Sequence, residues 1–79
     1  MHDFELMVEQ IKGEVEKYGE DIAPVMLARV ARFYAPYYFD KDDAYKRRLL
    51  SQFAELERRI GVTENFDWLS SLEKYKNGL

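Results

Sequence analysis

The sequence has no cysteine, one histidine, two prolines and four glycines among its 79 residues. The lack of cysteine excludes a disulfide-stapled secreted module and any zinc, iron–sulfur or thiol site built on Cys ligands. Apolar runs are only a few residues long, so no segment predicts a membrane span. The start of the chain, Met1 to Glu5, is acidic and lacks the basic and apolar blocks of a signal peptide. We therefore expect a cytoplasmic protein that does not contact membranes.

The composition, 47% hydrophobic and 34% charged, is typical of a soluble globular protein, and the length predicts one domain over residues 1–79. A chain this short buries only about 60–65% of the surface that its unfolded state exposes. Because no disulfide can compensate for a modest core, packing or oligomerisation must stabilise the fold.

Apolar residues recur at helical spacing in four segments, and strand-like alternation is absent. The pattern predicts an all-α protein, a compact bundle of four short helices over about residues 3–18, 21–35, 40–60 and 64–76. Gly19 and Gly61 lie where helices commonly end. We expect Pro36 to end the second helix, because its ring clashes with the preceding turn. The predicted N-caps are Asp3, Asp21, Asp40 and either Thr63 or Asn65.

The second helix is predicted to be the central one, because apolar residues cover well over half of its circumference. Those residues are Ile22, Val25, Met26, Leu27, Val30, Phe33 and Tyr34. Alanines cover much of the rest and would let a neighbouring helix pack closely. Arg29 and Arg32 interrupt the pattern on one edge. They either pair with carboxylates of the first helix or belong to a partner surface.

Charge is unevenly distributed. Residues 1–28 carry a formal charge of −5 and residues 29–79 carry +2. Four arginines form a basic edge on the third helix: Arg47, Arg48, Arg58 and Arg59. One interpretation is a solvated edge on which Glu55 pairs with the last two arginines at helical spacing. The other is a docking surface for an acidic partner, since guanidinium groups bind carboxylates through two hydrogen bonds.

Five aromatic residues fall within the seven positions from Phe33 to Phe39. Phe33 continues the apolar stripe of the second helix, which predicts that it lies in the core. Tyr37, Tyr38 and Phe39 are predicted to form a short extended link. Their rings either close the end of the bundle or form a surface for a partner or a second copy, since aromatic residues dominate interface hot spots.

Catalytic and metal-binding patterns are missing. The one histidine, His2, supports no Ser-His-Asp arrangement, and no glycine-rich phosphate loop is present. The run from Asp40 to Asp43 resembles the start of a calcium loop, but Ala44 replaces the third oxygen ligand and no glycine follows. The sequence therefore predicts no enzyme, no cofactor and no metal site.

The segment from Leu56 to Thr63 resembles the turn of repressor-type helix-turn-helix domains, in which a helix ends at a glycine and a capping Ser or Thr opens the recognition helix. The resemblance implies a nucleic-acid-binding regulator that uses residues 49–76. Glu57 stands where that family has a small residue. Two acids, Glu64 and Asp67, lie at the groove-reading end, and the net charge of −3 opposes phosphate binding.

The remaining hypothesis is a small protein that acts by stoichiometric binding to a macromolecular partner, as an adaptor, regulator or inhibitor. Small cysteine-free helical proteins of phages and mobile elements often act in this way, which is an analogy of size and class. We expect a protein partner with an acidic surface, with nucleic acid and a homodimer as alternatives. The candidate partner-binding residues are Arg29, Arg32, Tyr37, Tyr38, Phe39, Arg47, Arg48, Arg58 and Arg59.

Overall fold

A computed structural model describes residues 4–61 and 66–76. It contains four α-helices and one short 3₁₀ turn: α1 Phe4–Tyr18, the turn Glu20–Ile22, α2 Ala23–Tyr38, α3 Asp43–Ile60 and α4 Trp68–Lys74. No strand occurs in the described part of the chain. The Cα radius of gyration, 12.3 Å, is close to the roughly 12 Å expected of a compact chain of this length. The predicted all-α bundle of four helices is confirmed.

The helices pack mainly as two pairs that share one core, α1 against α3 and α2 against α4. α2 contributes more buried residues than any other described helix. Those residues are Ala23, Leu27, Val30, Ala31, Ala35 and Tyr38. The other helices add Val8, Ile11, Val15, Leu49, Phe53, Leu56, Ile60, Trp68 and Leu72.

The prediction that Pro36 ends the second helix is wrong, because α2 continues to Tyr38. A proline inside a helix removes one backbone hydrogen bond and costs about 3 kcal/mol. Ala35 and Tyr38 on either side of it are buried, and burial of a large side chain contributes about 1.5–3 kcal/mol. Packing of the last turn therefore offsets the proline. The extended link predicted for Tyr37–Phe39 is also wrong, since Phe39 keeps right-handed helical angles as the C-cap.

Three helix starts differ from the predicted ones. The α3 N-cap is Asp42 rather than Asp40, and its carboxylate accepts the backbone N–H of Tyr45 at 2.9 Å. Asp21 does not cap α2, because it lies within the 3₁₀ turn that leads into that helix. Asp67 caps α4 by accepting the Ser70 N–H at 3.0 Å, so α4 is shorter than predicted. The predicted caps Asp3, Thr63 and Asn65 lie outside the described residues.

Both glycine helix ends are confirmed. Gly61 adopts the left-handed conformation after α3, with φ of 80°, and Gly19 follows α1 with φ of 97°. Residues with a Cβ atom rarely adopt such positive angles, which explains glycine at both positions.

The Glu57 side chain of α3 hydrogen-bonds to the first residue of α4 and to the segment just before it. Its carboxylate accepts the backbone N–H of Phe66 at 2.7 Å and the indole N–H of Trp68 at 3.1 Å. The Trp68 ring stacks on Phe53 with 4.0 Å between centroids and 12° between planes. Phe66 and Asp67 lie outside α4, so the groove-reading start that the helix-turn-helix resemblance implied is not helical at these residues.

We expect the two phenylalanines Phe53 and Phe33 to differ sharply in their effect on stability. Phe53 is 1% exposed, so Phe53→Ala should lower the free energy of unfolding by about 3–5 kcal/mol through cavity formation. Phe33 is 66% exposed, so Phe33→Ala should change it by less than about 0.5 kcal/mol. Urea unfolding followed by circular dichroism measures both values. Equal losses for the two variants would contradict the described core.

Candidate interaction surface

The nine predicted partner-binding residues do not form one surface. Arg29, Arg32 and Tyr37 are exposed on α2, whereas Tyr38 is 5% exposed and Phe39 is half-buried. The Tyr38 and Phe39 rings meet edge to face at 4.9 Å between centroids, at the end of the bundle. Lysine ammonium groups lie over both rings, that of Lys46 over Tyr38 and that of Lys76 over Phe39. Tyr38 therefore belongs to the core.

On the basic edge of α3, the last two arginines are engaged in ion pairs. Arg58 donates to both carboxylate oxygens of Glu55, at 2.5 and 2.6 Å, as the helical spacing predicted. Arg59 donates instead to Glu5 of α1, through two bonds of 2.7 and 2.8 Å. That pair links α1 to α3 across the bundle surface. Half of the predicted basic edge is therefore neutralised by carboxylates of the same chain.

The two ion pairs shift the acidity of their carboxyl groups. The hydrogen bond from Arg59 holds the pKa of Glu5 below its ordinary value. The hydrogen bond from Arg58 does the same to the pKa of Glu55. All four side chains border solvent, so each pair contributes modestly to stability.

The remaining cations of the edge, Arg47 and Arg48, are exposed, and the Arg48 guanidinium lies 6.0 Å from the centre of the Tyr45 ring. A cavity of about 250 Å³ opens beside Arg48. Half of the residues that line it are aromatic, and the lining consists of Phe4, Tyr34, Tyr45, Arg48, Leu49 and Gln52. None of the described residues in this lining is acidic.

Arg29 and Arg32 do not pair with carboxylates of α1, in contrast to one of the two interpretations of the sequence. Arg32 lies over the Tyr75 ring, with 5.7 Å from its guanidinium carbon to the centroid. Arg29 is exposed and forms no ion pair within the described residues. The helix that carries both arginines has no acidic residue between Ala23 and Tyr38.

A row of exposed side chains runs along α2 at intervals of four residues, and we call it the α2 face. Its members are Val25, Arg29, Phe33 and Tyr37. Val25 is 55% exposed, Phe33 66% and Tyr37 56%. The Phe33 and Tyr37 rings lie 6.4 Å apart between centroids. The row is about 18 Å long, because a helix rises 1.5 Å per residue.

The prediction that Phe33 lies in the core is wrong, and Val25 from the same set of apolar residues is also exposed. α2 has apolar residues on nearly all sides, so its sequence could not show which side faces its neighbours. The structure directs Leu27, Val30 and Ala31 inwards, which leaves the α2 face outside. The four-residue spacing of Val25, Arg29, Phe33 and Tyr37 was the available signal for a shared face.

The part of the chain that the structure describes contains neither a metal-binding group nor a membrane-spanning helix. No group of three or more His, Cys, Asp or Glu side chains among residues 4–61 and 66–76 could hold a metal ion. In the same ranges, no helix combines the length and apolar character that a bilayer crossing needs.

Comparison with known proteins returned no match: no protein-family model, no curated protein and no solved structure is significantly similar to this chain.

The link between Glu5 and Arg59 predicts a specific dependence on pH. The folded state lowers the pKa of Glu5, so the contribution of the pair is complete above the ordinary value of 4.5 and is lost as the pH falls through the lowered value. Glu5→Gln should therefore be less stable than wild type at pH 7, and the difference should shrink towards pH 3. Urea unfolding at several pH values measures it.

Glu16→Gln is the matched control, because Glu16 is exposed on the same helix and forms no ion pair within the described chain. It should follow the wild-type curve at every pH. A constant difference between Glu5→Gln and wild type from pH 7 to pH 3 would contradict the role of the ion pair.

Proposed function

We propose that this protein is a non-enzymatic interaction module that binds a protein partner stoichiometrically and uses the α2 face as its contact surface. It would act in the cytoplasm as a regulator, adaptor or inhibitor of that partner. The observation that carries the proposal is a continuous row on one helix of two exposed aromatic rings, an aliphatic side chain and an arginine that forms no ion pair with any described residue.

The chemistry of the row favours a protein as the partner. Aromatic residues and arginine are enriched among the residues that dominate binding energy at protein interfaces. Phe33 and Tyr37 leave more than half of their side chains in water, although a 79-residue chain needs apolar surface for its own core. Covering these rings would remove apolar surface from water at about 25 cal/mol per Å².

The charge of α2 favours an acidic partner. The helix carries Arg29 and Arg32 and no acid, so a carboxylate of the partner would meet no competing charge from α2 itself. Burying Arg29 in an interface without a carboxylate would leave a desolvated cation, which is costly. Arg47 and Arg48 on α3 are the remaining predicted arginines without an ion pair in the described chain, and they would add to attraction at longer range.

Binding of nucleic acid by the α3 edge is the weaker alternative. Phosphates would have to displace Glu55 from Arg58 and Glu5 from Arg59, since both guanidinium groups are already held by two hydrogen bonds or more. A phage or mobile-element origin would suit an inhibitor of this size and rests on analogy of class alone.

Two triple variants test the proposal, and each replaces one cationic and two exposed side chains with alanine. Arg29→Ala/Phe33→Ala/Tyr37→Ala removes one arginine and two exposed aromatic rings from α2. The control, Lys12→Ala/Leu6→Ala/Tyr18→Ala, removes one cation and two exposed apolar side chains from α1. The α2 variant should bind a co-purifying protein at least about 100-fold more weakly than wild type, since each hot spot contributes about 2 kcal/mol or more. The control should bind within about threefold of wild type.

Affinity is measured with the purified partner by calorimetry, and circular dichroism confirms that each variant keeps its helices. Binding should weaken as salt rises, because the partner is acidic. The proposal is wrong if the partner binds both triple variants equally well, or if binding is independent of salt.

A further inference from the structure

The cavity beside Arg48 lies where three helices meet. Phe4 of α1, Tyr34 of α2 and Tyr45 of α3 each contribute an aromatic ring to its walls, and Leu49 of α3 contributes an aliphatic side chain. None of the four residues of the α2 face lines it. The cavity is therefore a second feature of the molecule, separate from the surface on which the proposed function depends.

The walls of the cavity are held in place by contacts of the fold itself. The Tyr34 ring meets the buried Phe53 edge to face, with 5.5 Å between centroids. Leu49 is 5% exposed. Tyr45 lies in the first turn of α3, where its backbone N–H is fixed by the carboxylate of Asp42. Because these walls are preformed, a ligand pays little for ordering them on binding.

Two polar side chains border the aromatic walls on α3. Arg48 and Gln52 are four residues apart, so they lie on the same side of the helix, and both line the cavity. The Arg48 guanidinium lies 6.0 Å from the centre of the Tyr45 ring and forms no ion pair with any described residue. A guanidinium binds a carboxylate through two parallel hydrogen bonds, and an amide nitrogen such as that of Gln52 donates a further one.

We propose that this cavity is a binding site for a small aromatic carboxylate. The ring of the ligand lies against the Tyr34 and Tyr45 rings, and its carboxylate accepts hydrogen bonds from Arg48 and Gln52. None of the described residues in the lining is acidic, so the carboxylate meets no like charge from them. The inference goes beyond the proposed function and does not depend on it, because it uses none of the residues of the α2 face.

The volume of the cavity limits the size of the ligand. An apolar cavity of about 150 Å³ holds one benzene molecule. The cavity beside Arg48 has a volume of about 250 Å³. Roughly 100 Å³ therefore remains beyond a single ring, which is enough for a carboxylate on a short linker but not for a second ring. Phenylacetate has these dimensions and this chemistry.

The ring of the ligand supplies most of the affinity, and Arg48 supplies the selectivity for an anion. Arg48 is exposed, so an ion pair with it contributes little by itself. For a ligand as small as phenylacetate we expect a dissociation constant of about 0.1–1 mM. Phenylacetamide, which has the same shape without the charge, should bind at least about tenfold more weakly, because hydrogen bonds to an ionised acceptor are the stronger ones. Acetate, which lacks the ring, should show no saturable binding.

Titration of the isotope-labelled chain with phenylacetate at pH 7, followed by nuclear magnetic resonance, tests the site. The Leu49 methyl groups and the Gln52 side-chain amide should shift and saturate together. The methyl groups of Leu69, which is 53% exposed on α4, should not shift. The proposal is overturned if no saturable shift appears at Leu49 and Gln52 up to about 10 mM phenylacetate, or if phenylacetamide binds as tightly.

Two neighbouring arginines of α3 provide a matched pair of variants. Arg48→Gln removes the guanidinium from the cavity and should weaken phenylacetate binding at least about tenfold. Arg47→Gln removes the same charge from an exposed residue that does not line the cavity, and should bind within about threefold of wild type. Both side chains are exposed, so neither change removes a core contact. Equal effects of the two variants would mean that net charge attracts the anion, and would refute the assignment of Arg48.

Arg29→Ala separates this inference from the proposed function. It changes the α2 face and leaves the cavity intact, so it should bind phenylacetate within about threefold of wild type. Loss of phenylacetate binding in Arg29→Ala would place the anion on α2 and overturn the cavity site. If phenylacetate does not bind while a protein partner still depends on the α2 face, the cavity site is wrong and the proposed function stands. If phenylacetate binds as described and no partner depends on the α2 face, the cavity site stands and the proposed function is wrong.

Discussion

The packing of aromatic rings around Phe53 is the interaction on which the rest of this small bundle depends. Phe53 on α3 stacks on Trp68 of α4 and meets Tyr34 of α2 edge to face at 5.5 Å between centroids. Three of the four helices therefore share one buried ring. A 79-residue chain without disulfides has few other means of joining its elements, so this contact fixes the position of α4 and the rotation of α2 together.

That rotation of α2 has a functional consequence. With Leu27, Val30, Ala31 and Ala35 directed into the core, the opposite side of the same apolar helix is exposed at Val25, Phe33 and Tyr37. Exposed aromatic rings next to an arginine that forms no ion pair in the described chain are unusual on a surface that serves only solubility. The two arginines that form ion pairs within the described residues thus lie on α3, away from the arginines of α2. Carboxylates of the same chain neutralise the end of α3, while α2 stays cationic and apolar.

The short helix α4 is stabilised by hydrogen bonds from a neighbouring helix. A helix of seven residues is too short to be stable in isolation, since helices below about 12 residues are marginal in water. Glu57 stabilises the start of α4, because its carboxylate accepts both the backbone N–H of Phe66 and the indole N–H of Trp68. The residue that departs from the helix-turn-helix pattern is therefore the one that ties α4 to α3.

The sequence alone determined the all-α class, the number of helices, the glycine helix ends and the pairing of Glu55 with Arg58, because these follow from periodicity and contacts within a few residues. Tertiary structure decided the rest. Pro36 stays helical because Tyr38 is buried beyond it, and Arg59 pairs with Glu5 because α1 lies beside α3. Phe33 is exposed because α2 is apolar on nearly every side, so that only its packing against neighbours selects the face that remains in water.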